Sequence, residues 1–270
     1  MGRLAALCSI LVLLVVSPAR SADQSDLAKA LRIGEVIEVL RDEGLTYGAV
    51  LDIDMLDGQG GAYWAAQVAR VYATDRMQDI VQTALLNGMN DDQINRSVEF
   101  FGSPRGKRIL SLEVSARRAM VNPEVEQMAF DVYAATKDND SARLRLITRL
   151  VEVNDLIERN VAGTLNSNYY FLRGLTEGGS SGQSEAEITS ETWSQEDDIR
   201  TDTREWVYGF MLLAYDPLSD ADLEAYITYS ATPAGLALNA ALFDGFDAMY
   251  LAISRDLGRL VAQAMHSSDL

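Results

Sequence analysis

Apolar residues recur along the chain at intervals of three and four, and the clearest run lies near the C-terminus. One stripe there has successive spacings of 4, 3, 4, 4 and 3, and it consists of Leu242, Phe246, Met249, Ile253, Leu257 and Leu260. This spacing places all six side chains on one face of a helix. The alternating pattern of a β-strand is absent from the sequence. We therefore predict an all-α protein, a helical bundle without a β-sheet.

Capping and helix-breaking residues divide the rest of the chain. A first helix is predicted from about Asp26 to Glu43, with Gly44 as its end, and a second from about Leu45 to Leu56. Further helix starts are predicted near residue 62, at Thr74, at Asn90 or Asp91, at Ser103-Pro104, at Asn122-Pro123 and after the turn at 138–141.

The stretch from about 177 to 198 differs from its surroundings. It begins with the flexible run Gly178-Gly179-Ser180-Ser181-Gly182 and continues with mostly acidic and polar residues. Such a composition is typical of a solvated connection, so we predict an exposed loop here.

Two short stretches, FFGSPRG from Phe100 and YSATPAG from Tyr229, share one pattern. Its members are Phe100, Ser103, Pro104 and Gly106 in the first copy and Tyr229, Thr232, Pro233 and Gly235 in the second. The hydroxyl suits a helix N-cap and the proline suits the first helical position. Because a proline also disfavours helical geometry in the preceding residue, the earlier helix must end. The glycine in the first turn allows another backbone to approach closely. The pattern predicts a sharp elbow between two helices.

The two elbows suggest an internal duplication. Pro104 and Pro233 are 129 residues apart, whereas upstream an offset of 115 pairs Leu31 with Leu146. An insertion at 177–198 in the second copy would explain the difference between the offsets. We predict a first helical unit at 23–139 and a second at 140–270, packed as one bundle or as two lobes.

The segments DDQINRSVEFFGSPRG, from Asp91, and DADLEAYITYSATPAG, from Asp220, resemble a secreted bacterial family, the domain of unknown function 2059. The family pattern is an acidic-capped helix, an aromatic pair, and Ser/Thr-Pro-x-Gly opening a second helix. The second copy departs from it, with Ser230 after Tyr229 and Leu236 where the first copy has Lys107. The resemblance implies an all-helical envelope protein and no particular activity.

Residues 1–22 have the layout of a secretory signal peptide. Arg3 precedes an apolar run from Leu4 to Val16, and small residues follow up to Ala22. A membrane anchor is the alternative, but a spanning helix needs about 20 apolar residues. Cys8, the single cysteine, lies inside this run. We predict cleavage and a periplasmic or secreted bacterial protein that is not transmembrane afterwards.

The formal net charge of -17 narrows the range of partners. A chain this acidic repels nucleic acid and anionic membrane surfaces. Its apolar fraction of 48% is too high for global disorder.

Basic residues cluster on the helix after Pro104 and do not recur in the second copy. They are Arg105, Lys107, Arg108, Arg117 and Arg118. Free N–H groups at a helix N-terminus, together with arginine side chains, can hold an anion. We name Arg105, Lys107 and Arg108 as a candidate anion-binding site. The alternative is a solvated face whose arginines pair with acidic neighbours.

Other candidate chemistry is weaker. Asp52, Asp54 and Asp57 lack the spacing of a calcium loop. His266 is the single histidine, which argues against a histidine triad or zinc cluster. We predict no metal, no cofactor and no catalytic residue. Several helical aromatic residues are predicted to be core, with an aromatic groove as the alternative: Tyr63, Trp64, Tyr169, Tyr170 and Phe171.

These observations favour a non-catalytic binding or interaction protein of the cell envelope, with an envelope protein or a small ligand as its partner. A small-molecule or lipid carrier is the main alternative, and it would need an apolar cavity of several hundred Å³. A carboxylate-dependent hydrolase is less favoured, because it needs two facing acids in a cleft, one with a raised pKa. An interaction protein would expose an apolar patch.

Overall fold

A computed structural model describes residues 24–139 and 141–268, and this part of the chain is helical without a β-strand. The helices are α1 (Gln24–Ala30), α2 (Ile33–Leu56), α3 (Gly61–Val71), α4 (Thr74–Gly88), α5 (Asp91–Gly102), α6 (Pro104–Met120), α7 (Pro123–Thr136), α8 (Ala142–Val153), α9 (Leu156–Glu177), α10 (Glu185–Trp193), α11 (Glu196–Tyr215), α12 (Asp220–Ser230) and α13 (Pro233–Ser268). The all-α prediction is confirmed. The predicted signal peptide at 1–22 lies outside the described residues.

The first predicted helix boundary is wrong. The chain breaks at Arg32, which adopts a left-handed backbone with φ of 56°, and α2 then runs unbroken through Gly44. Gly44 instead makes room for a neighbour, because a Cβ atom there would lie 2.1 Å from the Tyr72 ring. Gly44 therefore marks a position where α2 packs closely against a neighbouring side chain, and not the end of a helix.

The predicted loop at 177–198 is also wrong over most of its length. Helix α10 occupies its centre and α11 begins at Glu196. A capping box starts α10, since Ser184 and Glu187 each bind the backbone of the other. Ile188 and Thr192 are buried, and α10 packs on α9. The polar composition of this stretch therefore belongs to an amphipathic helix.

Two hydrophobic clusters form the core, and neither follows a simple division of the chain into halves. The first joins α1–α5 with buried residues of α13, among them Met249, Ile253 and Leu257. The second joins α8, α9, α11 and α12 with Ile109 and Ala116 of α6. Thus α6, from the first half of the chain, contributes to the second cluster, and α13, from the second half, contributes to the first.

The second half repeats the packing order of the first. Helix α1 packs on α5 as α8 packs on α12, and α2 contacts α3 and α4 as α9 contacts α10 and α11. Left-handed residues, Arg32 and Asp155, separate α1 from α2 and α8 from α9. These breaks are 123 residues apart, so the predicted upstream offset of 115 does not match the helix boundaries. The duplication itself stays a prediction.

Helix α13 is the one described helix that is long and apolar enough to cross a membrane by length and composition. In the structure Met249, Ile253 and Leu257 of its predicted stripe are buried in the first core cluster, together with Val261 beside the stripe, whereas Leu260 is half-buried. Leu242 and Phe246, nearer its start, are only half-buried. The N-terminal end of the predicted stripe is therefore not fully buried in the core, and it lines the cleft that is described below.

Candidate functional site

The first elbow is built around a serine that serves two helices. Ser103 is extended, with φ of -68° and ψ of 161°, and it ends α5 and caps α6. Its Oγ donates to the Phe100 carbonyl at 2.6 Å and accepts from the Gly106 N–H at 3.1 Å. Pro104 occupies the first position of α6. The hydroxyl therefore satisfies one free group at the end of each helix.

The second elbow has the same bonds. Thr232 Oγ1 donates to the Tyr229 carbonyl at 2.6 Å and accepts from the Gly235 N–H at 3.0 Å. A Cβ on Gly235 would lie 2.2 Å from the Tyr229 carbonyl oxygen, as one on Gly106 would lie 2.3 Å from that of Phe100. The backbone that approaches each glycine is that of the preceding helix.

The aromatic residues of the two elbows pack against each other. Phe100 stacks on Tyr229 with ring centroids 4.2 Å apart and planes 11° apart, and Phe101 meets Tyr229 edge-on at 5.3 Å. The Tyr229 hydroxyl donates to Ser97 Oγ at 2.7 Å. Across the same junction Arg105 Nε donates to Asp222 at 2.7 Å. The elbows thus form one of the contacts between the two halves of the chain.

The residues of the candidate anion site are not gathered around one position. Arg105 pairs with Asp222, and this hydrogen bond lowers the pKa of the Asp222 carboxyl. Arg108 donates to the Pro217 carbonyl at 2.8 Å, while Lys107 is exposed. This arrangement matches the alternative of arginines paired with protein groups. The anion site stays a prediction that the geometry does not favour.

Glu113 of α6 lies in a part-buried hydrogen-bond network. The Tyr215 hydroxyl donates to its Oε1 at 2.6 Å, and Tyr226 supplies a second hydrogen bond. Burial raises the pKa of Glu113 to about 7, against the opposing effect of both hydrogen bonds. The partners are phenols, so this is not a pair of facing acids.

A cleft of about 770 Å³ opens between the two core clusters. Helix α13 lines it with Leu242, Phe243 and Phe246, and α11 lines it with Trp206 and Val207. The other walls come from α2, α7 and α9, with Val36, Leu40, Phe130 and Gly163. Trp206 is held in place by stacking on Phe210 at 5.1 Å, with the rings 7° apart. The surface of the cleft is predominantly apolar and aromatic.

Polar groups also line this cleft: four charged side chains and five uncharged ones, Asn160, Thr164, Ser167, Thr203 and Asn239. Arg117 lies over the Trp206 ring, 4.9 Å from its centroid, and donates to both carboxylate oxygens of Glu43 at 2.8 and 2.6 Å. Asp202, Glu205 and Asp247 add three carboxylates. A mainly apolar surface that also carries polar groups at defined positions is the usual composition of a small-molecule site.

The remaining sequence candidates have structural roles. Asp52 accepts from the Gly60 N–H at 2.7 Å and so closes the turn before α3. Within residues 24–139 and 141–268, no cluster of histidine, cysteine or acidic side chains is suited to hold a metal ion. Trp64 is buried and donates to the Gly48 carbonyl at 2.8 Å. The core prediction is wrong for Tyr63, which is 75% exposed at the free side of α3.

The last three aromatic candidates, Tyr169, Tyr170 and Phe171, are only half-buried on α9. Phe171 lines a smaller cavity between α2, α9 and α13.

Sequence reasoning missed the residues that build the cleft. Trp206, Phe243 and Asp247 carry no motif, and Leu242 and Phe246 belong to a stripe that reads as core. One signal was present. Phe243 and Asp247 lie beside the stripe at a spacing of four, which widens the apolar face of α13 and sets an acid at its margin.

Comparison with family models, curated proteins and solved structures finds no match to this chain. The resemblance to the domain of unknown function 2059 therefore stays a prediction.

Proposed function

We propose that this protein is a non-catalytic binding protein that holds a small amphipathic molecule in the cleft between its two core clusters. The observation that carries the proposal is the cleft itself, about 770 Å³ in volume and lined by aromatic and aliphatic side chains. Ligand sites of drug-sized molecules fall in the range of about 300–1,000 Å³. Phe130, Trp206 and Phe246 offer flat apolar contact, and the carboxylates offer orientation.

The same structure gives less support to a carboxylate-dependent hydrolase. Such chemistry needs two acids facing each other across a substrate. Glu113, whose pKa is raised most clearly among the described acids, bonds to tyrosines away from the cleft. Asp247 lines the cleft and also has a pKa raised by burial, but the neighbouring acid that contributes to this rise is Asp244, which does not line the cleft. A binding role needs none of this machinery.

Filling the cleft tests the proposal. Thr164 is an exposed residue of α9 on the wall of the cleft, so Thr164→Trp should occupy its volume. Asn166 is exposed on the same helix and does not line the cleft, so Asn166→Trp is a matched control. We expect N-phenyl-1-naphthylamine, a neutral apolar fluorophore, to bind wild type and the control, and Thr164→Trp to lose at least about tenfold in affinity.

Two results would speak against the proposal. One is the absence of saturable dye binding to wild type. The other is equal dye affinity in Thr164→Trp and Asn166→Trp, because the dye would then bind elsewhere.

An exposed apolar stripe on α2 favours a second candidate function, binding of a protein partner. Tyr47, Val50 and Ile53 repeat every three residues and are 47%, 45% and 67% exposed. Exposed apolar surfaces of this kind mark interaction sites. Purification from the native envelope should retain a partner with wild type and lose it with Ile53→Glu. If Ile53→Glu retains the partner as wild type does, the stripe on α2 is not the surface that binds it.

The location belongs to the proposal as well. The pattern of residues 1–22 supports export to the periplasm or the medium, where a binding protein would meet its ligand. Amino-terminal sequencing of the exported protein should begin close to Ala22, whereas a chain that keeps Leu4–Val16 would contradict cleavage.

A further inference from the structure

The charged side chains at the cleft are predominantly acidic. Asp202, Glu205 and Asp247 line it, together with Arg117. Arg117 is already neutralised by Glu43, to which it donates two hydrogen bonds of 2.8 and 2.6 Å. The acids that line the cleft therefore outnumber its lining cations, as acids do in the whole chain, although Arg159 lies close by, over the Phe243 ring. Such an excess of acids attracts cations and disfavours anionic ligands.

Asp247 is the acid best placed to contact a ligand. It lies half-buried on α13, one residue after Phe246 and one helical turn after Phe243, and all three line the cleft. Gly163 faces its carboxylate from α9, where a Cβ atom would lie 2.7 Å from Oδ1. Within the described residues, no hydrogen bond or ion pair engages this carboxylate. Because no described protein group donates to it, this part-buried carboxylate can accept hydrogen bonds from water or from a ligand in the cleft.

The aromatic walls suit a cation as well. A guanidinium already covers one face of two of these rings, with Arg117 at 4.9 Å from the centroid of Trp206 and Arg159 at 5.3 Å from that of Phe243, so a ligand cation has the remaining ring faces and Phe246. Electron-rich ring faces attract ammonium groups in the same way. An organic cation can therefore place its apolar body among the rings and its charge near Asp247.

We propose that the ligand of the cleft is an amphipathic amine, whose ammonium group donates to Asp247 while its apolar part lies against Trp206, Phe243 and Phe246. This inference rests on the proposed function and names the class of its ligand. An ammonium has up to three donors, and Asp247 supplies an acceptor that no described residue uses.

The protonation behaviour of Asp247 agrees with this role. Burial raises the pKa of its carboxyl, the neighbouring charge of Asp244 adds to the rise, and Arg159 opposes it. A bound ammonium would reverse this shift, because an adjacent positive charge favours the ionised carboxylate.

Three probes with one chain length test the charge preference. Decylammonium, decanol and decanoate are titrated by calorimetry at neutral pH, below their micelle concentrations. We expect decylammonium to bind wild type at least about tenfold more tightly than decanol, and decanoate to bind most weakly. Equal binding of the amine and the alcohol, or tighter binding of decanoate, would overturn the inference while leaving the proposed function intact. Binding of none of the three would contradict the proposed function itself.

Two variants test the assigned residue. Asp247→Asn should lower decylammonium affinity by about tenfold and leave decanol affinity unchanged, because the amide keeps the shape and loses the charge. Asp244→Asn is the matched control, an exposed acid one turn earlier on α13. It should keep the preference for the amine. An equal loss in both variants would mean that general charge, not Asp247, attracts the cation. The wild-type series decides the ligand class even if Asp247→Asn folds poorly.

Discussion

Gly106 and Gly235 show what the repeated elbow requires of individual residues. At both positions the carbonyl of the preceding helix lies where a Cβ would be, at 2.3 and 2.2 Å. Backbone atoms cannot move aside as a flexible side chain can. The glycine therefore sets how closely the two helices of an elbow approach, and Ser103 or Thr232 then bonds to both.

Gly106→Ala should destabilise the protein by about 2–3 kcal/mol, because the added methyl group overlaps the Phe100 carbonyl. Gly102→Ala is the control, since a Cβ there meets nothing within 4 Å and alanine is the better helix former. Urea denaturation measures both. Equal stability of the two variants would show that the elbow tolerates a wider approach.

Ser103→Ala should cost about 1 kcal/mol through the lost cap, and Pro104→Ala should cost little. The serine hydroxyl bonds to both helices, whereas the proline only lacks a donor that the first turn does not use. Thermal unfolding of the two variants compares them. Equal melting temperatures of Ser103→Ala and wild type would contradict the capping role of the serine.

At the scale of elements, Glu113 connects α6 to α11 and α12 through Tyr215 and Tyr226. Its pKa is raised from 4.5 to about 7 by burial. Between these values the folded state binds more protons than the unfolded state. The stabilising contribution of this group is therefore complete below about pH 4.5 and is lost as the pH rises to about 7.

Glu113→Gln should remove this pH dependence, because glutamine mimics the protonated acid. Since each unit of pKa shift corresponds to about 1.4 kcal/mol, wild type should lose on the order of 2 kcal/mol more than the variant between pH 5 and pH 8. Urea denaturation of both proteins at the two pH values gives the difference. Parallel pH profiles would place the carboxyl of Glu113 in contact with water.

Helix boundaries could be predicted from the sequence where the residues that determine them lie within a few positions of the boundary. The starts of α5, α6 and α7 follow from Asn90, Ser103 and Asn122, whose side chains cap within three residues. The break at Arg32 and the continuity through Gly44 depend on packing partners far along the chain, which no local pattern reveals. Helix α10 was predicted as a loop although Ser184 and Glu187 have the spacing of a capping box. The glycine-, serine- and acid-rich composition around them is typical of a loop and led to that prediction.

The cleft was less predictable than the helices for a physical reason. A stripe at helical spacing shows which side of α13 is apolar, but not whether a neighbour covers that side fully. Met249 and Ile253 are buried, whereas Leu242 and Phe246 on the same stripe border a space. Only the distances between α13, α9 and α11 distinguish the two cases.

At the scale of the whole molecule, the positions of α6 and α13 explain why a cleft exists. Each of these helices packs into the core that is formed mainly by the other half of the chain. Helix α13 packs on α4 and completes the first core, while α6 packs on α11 and completes the second. The two cores are joined by these helices and by the stack of Phe100 on Tyr229. The space that remains between the cores is lined by residues of both, and this shared lining is the basis of the proposed binding site.

Native mass spectrometry of protein isolated from the cells that produce it naturally tests the proposed binding site most directly. Wild type and Asn166→Trp should carry a bound small organic molecule, and Thr164→Trp, in which the cleft is filled, should show the mass of the chain alone. If wild type shows only the mass of the chain, or if Thr164→Trp keeps the same bound molecule, the cleft is not the binding site.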